Sequence, residues 1–275
     1  GKNPKIHRSW QDLLNSCIKK MFMLDRVKWG ILLKVLPWTG LFFIAKLGMH
    51  WVSWEPWIFD ALTGALFSAA IFVIALILSG TLGDYRACEV MPSQIANSLE
   101  TIKDTNLTIA LGNPDYQPQP LQQALVDVGR SILDWLQAGK EFTVVDAAID
   151  RLNPVLVPIL GLNGGPGIVN YIQIEQAKIR SITRQMRAHH DTDFLGAAYV
   201  LLWLFLGGSI FALLLIDAER FSENLIVSAF MFTLFIYLLF LIEDLDKPFQ
   251  YDGKSSVDVD LSPLEHVWIK LGNRG

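Results

Sequence analysis

Apolar positions in this chain gather into two blocks, one towards each end, with a mixed and mostly polar stretch between them. Four runs inside these blocks stay apolar long enough to cross a bilayer, whose hydrocarbon core of about 30 Å takes roughly 20 helical residues. They are Trp29 to Leu47, Trp57 to Leu82, Phe194 to Ile216 and Leu225 to Ile242. The first is the most interrupted, with Lys34, Pro37 and Lys46 inside it. Both lysines are placed to snorkel towards the membrane surfaces. Pro37 predicts a kink unless neighbouring groups satisfy the carbonyl it frees. Trp29, Trp51, Trp54 and Trp57 fall at or beside the span ends, with Trp38 and Trp203 about two and a half turns inside, and together they are read as an interfacial aromatic belt.

The stretch between the blocks reads as helical. Ile95, Leu99, Ile102 and Ile109 recur at helical spacing and predict a helix over Glu89 to Ile109. Pro114, Pro118 and Pro120 then break regular structure. Leu121, Leu125, Val128, Ile132 and Leu136 share one face of a helix over Leu121 to Ala138. Phe142 to Leu160 begins helix-like and is interrupted by Pro154 and Pro158. Gly161 to Gly167 is a connector, and Tyr171 to His190 is a polar helix leading into the third span.

Orientation follows from the flanks. Lys19, Lys20, Arg26 and Lys28 precede the first span, and Lys178, Arg180, Arg184 and Arg187 precede the third, whereas the short linkers within each hairpin carry little positive charge. The positive-inside rule then places both termini and the middle stretch in the cytoplasm. The expected organisation is an all-α membrane protein: a cytoplasmic N-terminal helix (1–28), a first transmembrane hairpin (29–83), a helical cytoplasmic region (84–193), a second hairpin (194–242) and an acidic cytoplasmic tail (243–275). The first apolar run is flanked like a membrane helix and not like a cleavable signal peptide.

Composition supports this. Of 275 residues, 52% are hydrophobic and 18% charged, where globular chains carry about a quarter charged. A formal charge of −4 gives no electrostatic footprint for nucleic acid. Cys17 and Cys88 are the only cysteines, both on the expected cytoplasmic side, so neither a disulfide framework nor a cysteine zinc site is expected.

Candidate chemistry is sparse. The glycine-rich stretch Gly161 to Gly167 lacks the Lys-Ser/Thr pair of a phosphate loop, and Pro166 removes a backbone donor. His189 and His190 are adjacent, and neighbouring helical side chains diverge by about 100°, so they read as a hydrated membrane-edge cluster with Asp191, Thr192 and Asp193. No arrangement of nucleophile, base or paired carboxylates argues for an enzyme. After the fourth span, Glu243, Asp244, Asp246, Asp252, Asp258 and Asp260 form an acidic run. Such oxygens can hold Ca²⁺, or simply stay solvated and paired to nearby bases. The second span mixes small residues with Ile and Phe, which suits either close helix packing or a pore lining gated by an apolar constriction. Ala70, Ile74 and Leu78 lie on one narrow stripe of it.

Two short patches carry a family resemblance. One is Glu243-Asp244-Leu245-Asp246-Lys247-Pro248-Phe249 at the end of the fourth span; the other is Arg86-Ala87-Cys88-Glu89 after the second. Together with the order of two spans, helical insertion and two spans, they resemble the bestrophin family and the wider bestrophin-like membrane proteins. That resemblance implies a homopentamer in the cell membrane around a central pathway for chloride and similar small anions. It implies a pore neck on the second span, at Ala70, Ile74 and Leu78, and motif roles for Arg86, Glu89, Asp246, Pro248 and Phe249. It also points to Asp244 and Asp252 as possible counterparts of Ca²⁺ ligands, with no other cofactor. A non-conducting membrane scaffold or regulatory protein of the same fold is the alternative.

Overall fold

In a computed structural model, residues 30–191, 196–217, 220–251 and 257–272 are described. The expected N-terminal helix, with Cys17 and Trp29, lies outside them, as do Thr192, Asp193 and Asp252. The elements are α1 (Gly30–Trp51), β1 (Trp57–Ile58), α2 (Ala61–Glu89), α3 (Met91–Gly112), α4 (Gln119–Ala138), α5 (Phe142–Asp150), α6 (Leu152–Leu160), α7 (Gly165–Asp191), α8 (Gly196–Leu215), β2 (Ile216–Asp217), α9 (Phe221–Asp246) and α10 (Ser262–Gly272). They fall into two compact units, whose divisions lie inside α2 after Leu82 and at the end of α9 after Asp246.

The first unit holds α1, α2 to Leu82, α8 and α9, four helices long and apolar enough to span a membrane. The protein is a multi-pass, helical membrane protein with the four expected spans. Helix is the natural outcome, because lipid offers a backbone no hydrogen-bond partners and an α-helix satisfies its own. Its core joins Val35 and Phe42 of α1, Leu206 of α8 and Phe235 of α9. Phe42 stacks on Phe232 with ring centroids 4.4 Å apart. Helix α1 runs to Trp51, a turn further than expected, and continues unbroken through Pro37.

The all-α expectation holds, with one local addition: β1 and β2 form a two-residue parallel pair, Trp57 with Ile216 and Ile58 with Asp217. It ties together the linkers of the two hairpins and satisfies backbone groups just beyond the helix ends. Lys46, moreover, does not snorkel. Its side chain is 0% exposed. The ammonium donates to the carbonyl of Leu214 at 3.1 Å and to that of Ile216, and pairs with a Glu55 carboxylate oxygen at 2.9 Å. Two carbonyl hydrogen bonds and one ion pair thus hold the buried ammonium. Glu55 also accepts from His50 Nδ1 at 2.9 Å, and the His50 ring stacks on Phe221. Burial opposes ionisation of Glu55, but its Lys46 and His50 partners outweigh that and hold its carboxyl below the usual carboxylate range.

The second unit holds the end of α2, α3 to α7, and α10. The expected apolar faces are its core: Ile95, Leu99 and Ile102 of α3 and Leu121, Leu125, Val128, Ile132 and Leu136 of α4 are all buried. Three expectations change. Phe142 to Leu160 is two helices, with Pro154 near the start of α6, where a missing N–H costs little, and Pro158 tolerated further on. The connector ends earlier than expected, at Gly164, and Gly165 already belongs to α7. A Cβ on Gly165 would lie 2.1 Å from the Ile159 carbonyl oxygen, so this position admits only glycine. The acidic tail is also not merely a tail, because α10 folds back and packs on α3 and α4.

Three outcomes test these assignments. Lys46→Met leaves Glu55 as an uncompensated buried charge and should cost about 3–5 kcal/mol, measured by thermal unfolding in detergent; Glu55→Gln added to it should recover part of that loss. Because the folded carboxyl of Glu55 titrates below its ordinary range, its contribution is present at neutral pH and lost as acidification passes through that depressed value. Glu55→Gln should therefore flatten the acid limb of the stability profile. Gly165→Ala should destabilise the second unit strongly, through the clash with Ile159.

Candidate functional site

Helix α2 is the element around which a candidate site is built. From Ala61 to Gly83 it has no charged side chain, so it is free to sit deep in a membrane. Asp60 caps its start, accepting from the Thr63 amide and the Thr63 hydroxyl, each at 2.8 Å. One face turns into the unit: Phe67 and Ile74 share an apolar cluster with helices α1, α8 and α9. The expected neck stripe lies on this inward face. Ala70 is 0% and Ile74 3% exposed, while Leu78 is half-buried at the edge of the same cluster. In the single chain Ala70 and Ile74 are packed as core, with Leu78 at its edge.

The opposite face of α2 is exposed along its whole length. Ala61, Ala65, Ser68, Phe72, Ala75, Ser79 and Leu82 are all accessible. Their spacing alternates four and three residues, the seam of helices that pack around one another in a left-handed supercoil. Most of the seam is small or hydroxylated, which allows close backbone approach. Phe72, 68% exposed, is the bulky aromatic within it. This seam was legible in the sequence as a heptad run, but the Ala70 stripe has equally regular spacing and only burial separates the two.

The motif residues at the helix exits divide between the units. In the first, Asp246 ends α9 and accepts from the Tyr199 hydroxyl at 3.1 Å. Asp244 is half-buried on the same last turn. In the second, Phe249 is 1% exposed inside the core. The Pro248 carbonyl accepts from the Val259 amide at 3.0 Å. Tyr251, at a left-handed φ of 43°, donates its hydroxyl to the Val259 carbonyl at 2.7 Å. Burial, then the nearby Asp258 and Asp260, push its phenol well above the usual range. Pro248 and Tyr251 thus pin the returning strand at Val259, a closure that nothing in the sequence pattern announced. Asp252 lies outside the described residues.

Arg86 and Glu89 are exposed on the last turn of α2, and Cys88 between them is buried. Burial, with Asp84 nearby, pushes the Cys88 thiol up to about 12, so it stays protonated. Among the described residues no group of three or more His, Cys, Asp or Glu side chains converges as metal ligands would. His190 sits beside Trp135, and Asp191 accepts from His190 and Arg187 at 2.9 and 3.0 Å, so this cluster is internally paired.

Comparison with known proteins adds the fold. No family model matches the chain, and no curated protein matches it. Solved structures do. A bacterial bestrophin homolog from Klebsiella pneumoniae, solved as single-substitution variants, matches with TM-scores of 0.68 and 0.65 at 14% and 15% identity, over 88% of this chain and 97% of that one. A further crystal structure described only as a membrane protein matches with a TM-score of 0.67 at 13% identity, over 90% and 97%. The chain therefore has the bestrophin fold, as its motif patches suggested. Identity at this level carries the architecture and not the roles of individual residues.

The buried Pro-Phe patch yields a direct test. Phe249→Ala should cost about 3–5 kcal/mol, the usual range for an emptied aromatic core site. Tyr251→Phe should cost about 1 kcal/mol, one hydrogen bond. Thermal unfolding of the purified protein reads both.

Proposed function

We propose that the protein is a bestrophin-like anion channel of the cell membrane, oligomeric, with its pathway lined by the second transmembrane helix and both termini in the cytoplasm. The observation that carries this reading is the exposed heptad seam of α2 in a chain with the bestrophin fold. Four spans cannot enclose a wide pathway alone. A long accessible seam of small residues on an uncharged span is most simply covered by copies of itself around an axis. Five copies follow from the family resemblance. In such a ring the neck belongs to the seam, with Phe72 as its apolar collar and Ser68, Ala75 and Ser79 as its narrow wall. An apolar collar gates by dewetting and needs no ring of fixed charge.

The inward stripe takes another part. Ala70, Ile74 and Leu78 hold α2 against its own unit and set the angle of the seam. Calcium enters this reading only if conduction depends on it and that dependence is lost in Asp244→Asn and Asp252→Asn.

The decisive measurement is chloride flux in proteoliposomes, with the oligomeric state determined by native mass spectrometry. Phe72→Ala should raise flux several-fold and Phe72→Asp should change anion selectivity, while Ile74→Ala should lower stability and leave selectivity unchanged. The reverse pattern would return the neck to the Ala70 stripe. A stable monomer, or a correctly inserted oligomer without flux in any variant, would replace the channel with a non-conducting membrane scaffold.

A further inference from the structure

The linker between the first two spans is unusual in what it turns inward and what it leaves out. Its acidic side chain, Glu55, is only 5% exposed, held inside by Lys46 and His50. The carboxylate of Asp60 is engaged in capping α2. The outer surface is mostly apolar: Trp51, Val52, Trp54, Ile58 and Phe59 are exposed by 91, 72, 63, 80 and 60%, with His50, Ser53 and the capping Asp60 as the polar groups beside them. Leu62, 79% exposed in the first turn of α2, and Ile44 and Leu47 on α1 continue this surface into the accessible apolar faces of the spans.

The linker backbone is equally self-contained. Val52, Ser53 and Trp54 donate their amides to the carbonyls of Gly48, His50 and Met49 at 3.0 to 3.1 Å, closing the end of α1. Ser53 takes a left-handed φ of 53° to make that turn. Trp57 and Ile58 pair with β2. A loop in water has no need to satisfy its backbone from within, whereas one in contact with lipid does. Indoles prefer the zone where headgroups meet acyl chains.

We infer that residues 51–59 form a wedge seated in the bilayer interface, its partner a lipid surface, and that the inward pairing of Glu55 with buried Lys46, closed off by the half-exposed His50, is the device that turns the linker's Glu55 charge away from its outer face. An apolar patch of this size left in water marks an interaction surface, and the membrane is the surface with which it is continuous. The wedge is independent of conduction and stands whether or not the protein is a channel.

Nitroxide accessibility tests it. Spin labels at Val52→Cys, Trp54→Cys and Ile58→Cys, in a Cys17→Ala and Cys88→Ala background, are measured in phosphatidylcholine liposomes. Ile44→Cys supplies a reference in the span, and Arg220→Cys a water reference on the linker of the second hairpin. Collision with oxygen should exceed collision with the water-soluble nickel reagent at all three linker sites, as at Ile44. An excess of nickel collisions, as at Arg220, would put the linker in water and overturn the wedge. Low accessibility to both would show the face covered by protein, and would also overturn it. As a check on the device, Glu55→Lys should shift the linker labels towards nickel accessibility while leaving Ile44 unchanged.

Discussion

A group that carries charge or an unpaired backbone dipole has to be satisfied from inside the protein wherever water is absent. Lys46 meets that requirement inside the first unit. Its ammonium finds the Leu214 and Ile216 carbonyls at the end of α8 and the Glu55 carboxylate on the facing linker. Those carbonyls are among the groups a helix C-terminus leaves without intrahelical donors, so one cation neutralises an acid and satisfies a helix end together. Asn224 of α9 donates to the Ile216 carbonyl as well, at 2.9 Å. The β1–β2 pair lies at the same place. The two hairpins are thus joined at one end by polar chemistry and elsewhere by packing of Phe42, Phe232 and Phe235.

Helix α2 shows how little hydrophobicity says about direction. Both its faces are apolar or small, and hydropathy alone cannot tell a face that packs on α1, α8 and α9 from one that is left exposed. Burial separates them. The inward face carries Phe67, Ala70 and Ile74; the outward one carries the alternating small residues that let helices approach closely. The proposed channel is built on the second, the face that the single chain leaves uncovered.

The second unit is ordered on a different principle. It is a water-type core of amphipathic helices, so its pattern was largely legible: the buried positions of α3 and α4 are those the helical period marked. What the period could not convey was closure. Phe249 enters that core just after α9 ends, Val259 is fastened by Pro248 and Tyr251, and α10 packs on α3 and α4. Such contacts join residues far apart in the chain, and no local pattern encodes them.

By itself, the sequence determined four spans, two hairpins and a helical body, because bilayer thickness and helical period act on neighbouring residues and leave a local record. It also held, in its Asp-x-Pro-Phe and Arg-x-x-Glu patches, enough to point to the bestrophin fold. Tertiary structure alone decided that Lys46 is a buried cation paired with Glu55, that Ala70 and Ile74 face inward, and that Gly165 is a position where only glycine fits. The physical reason is common to all three. Each is settled by which distant atoms come within a few ångströms, and that is a property of the packed chain, not of any segment of it.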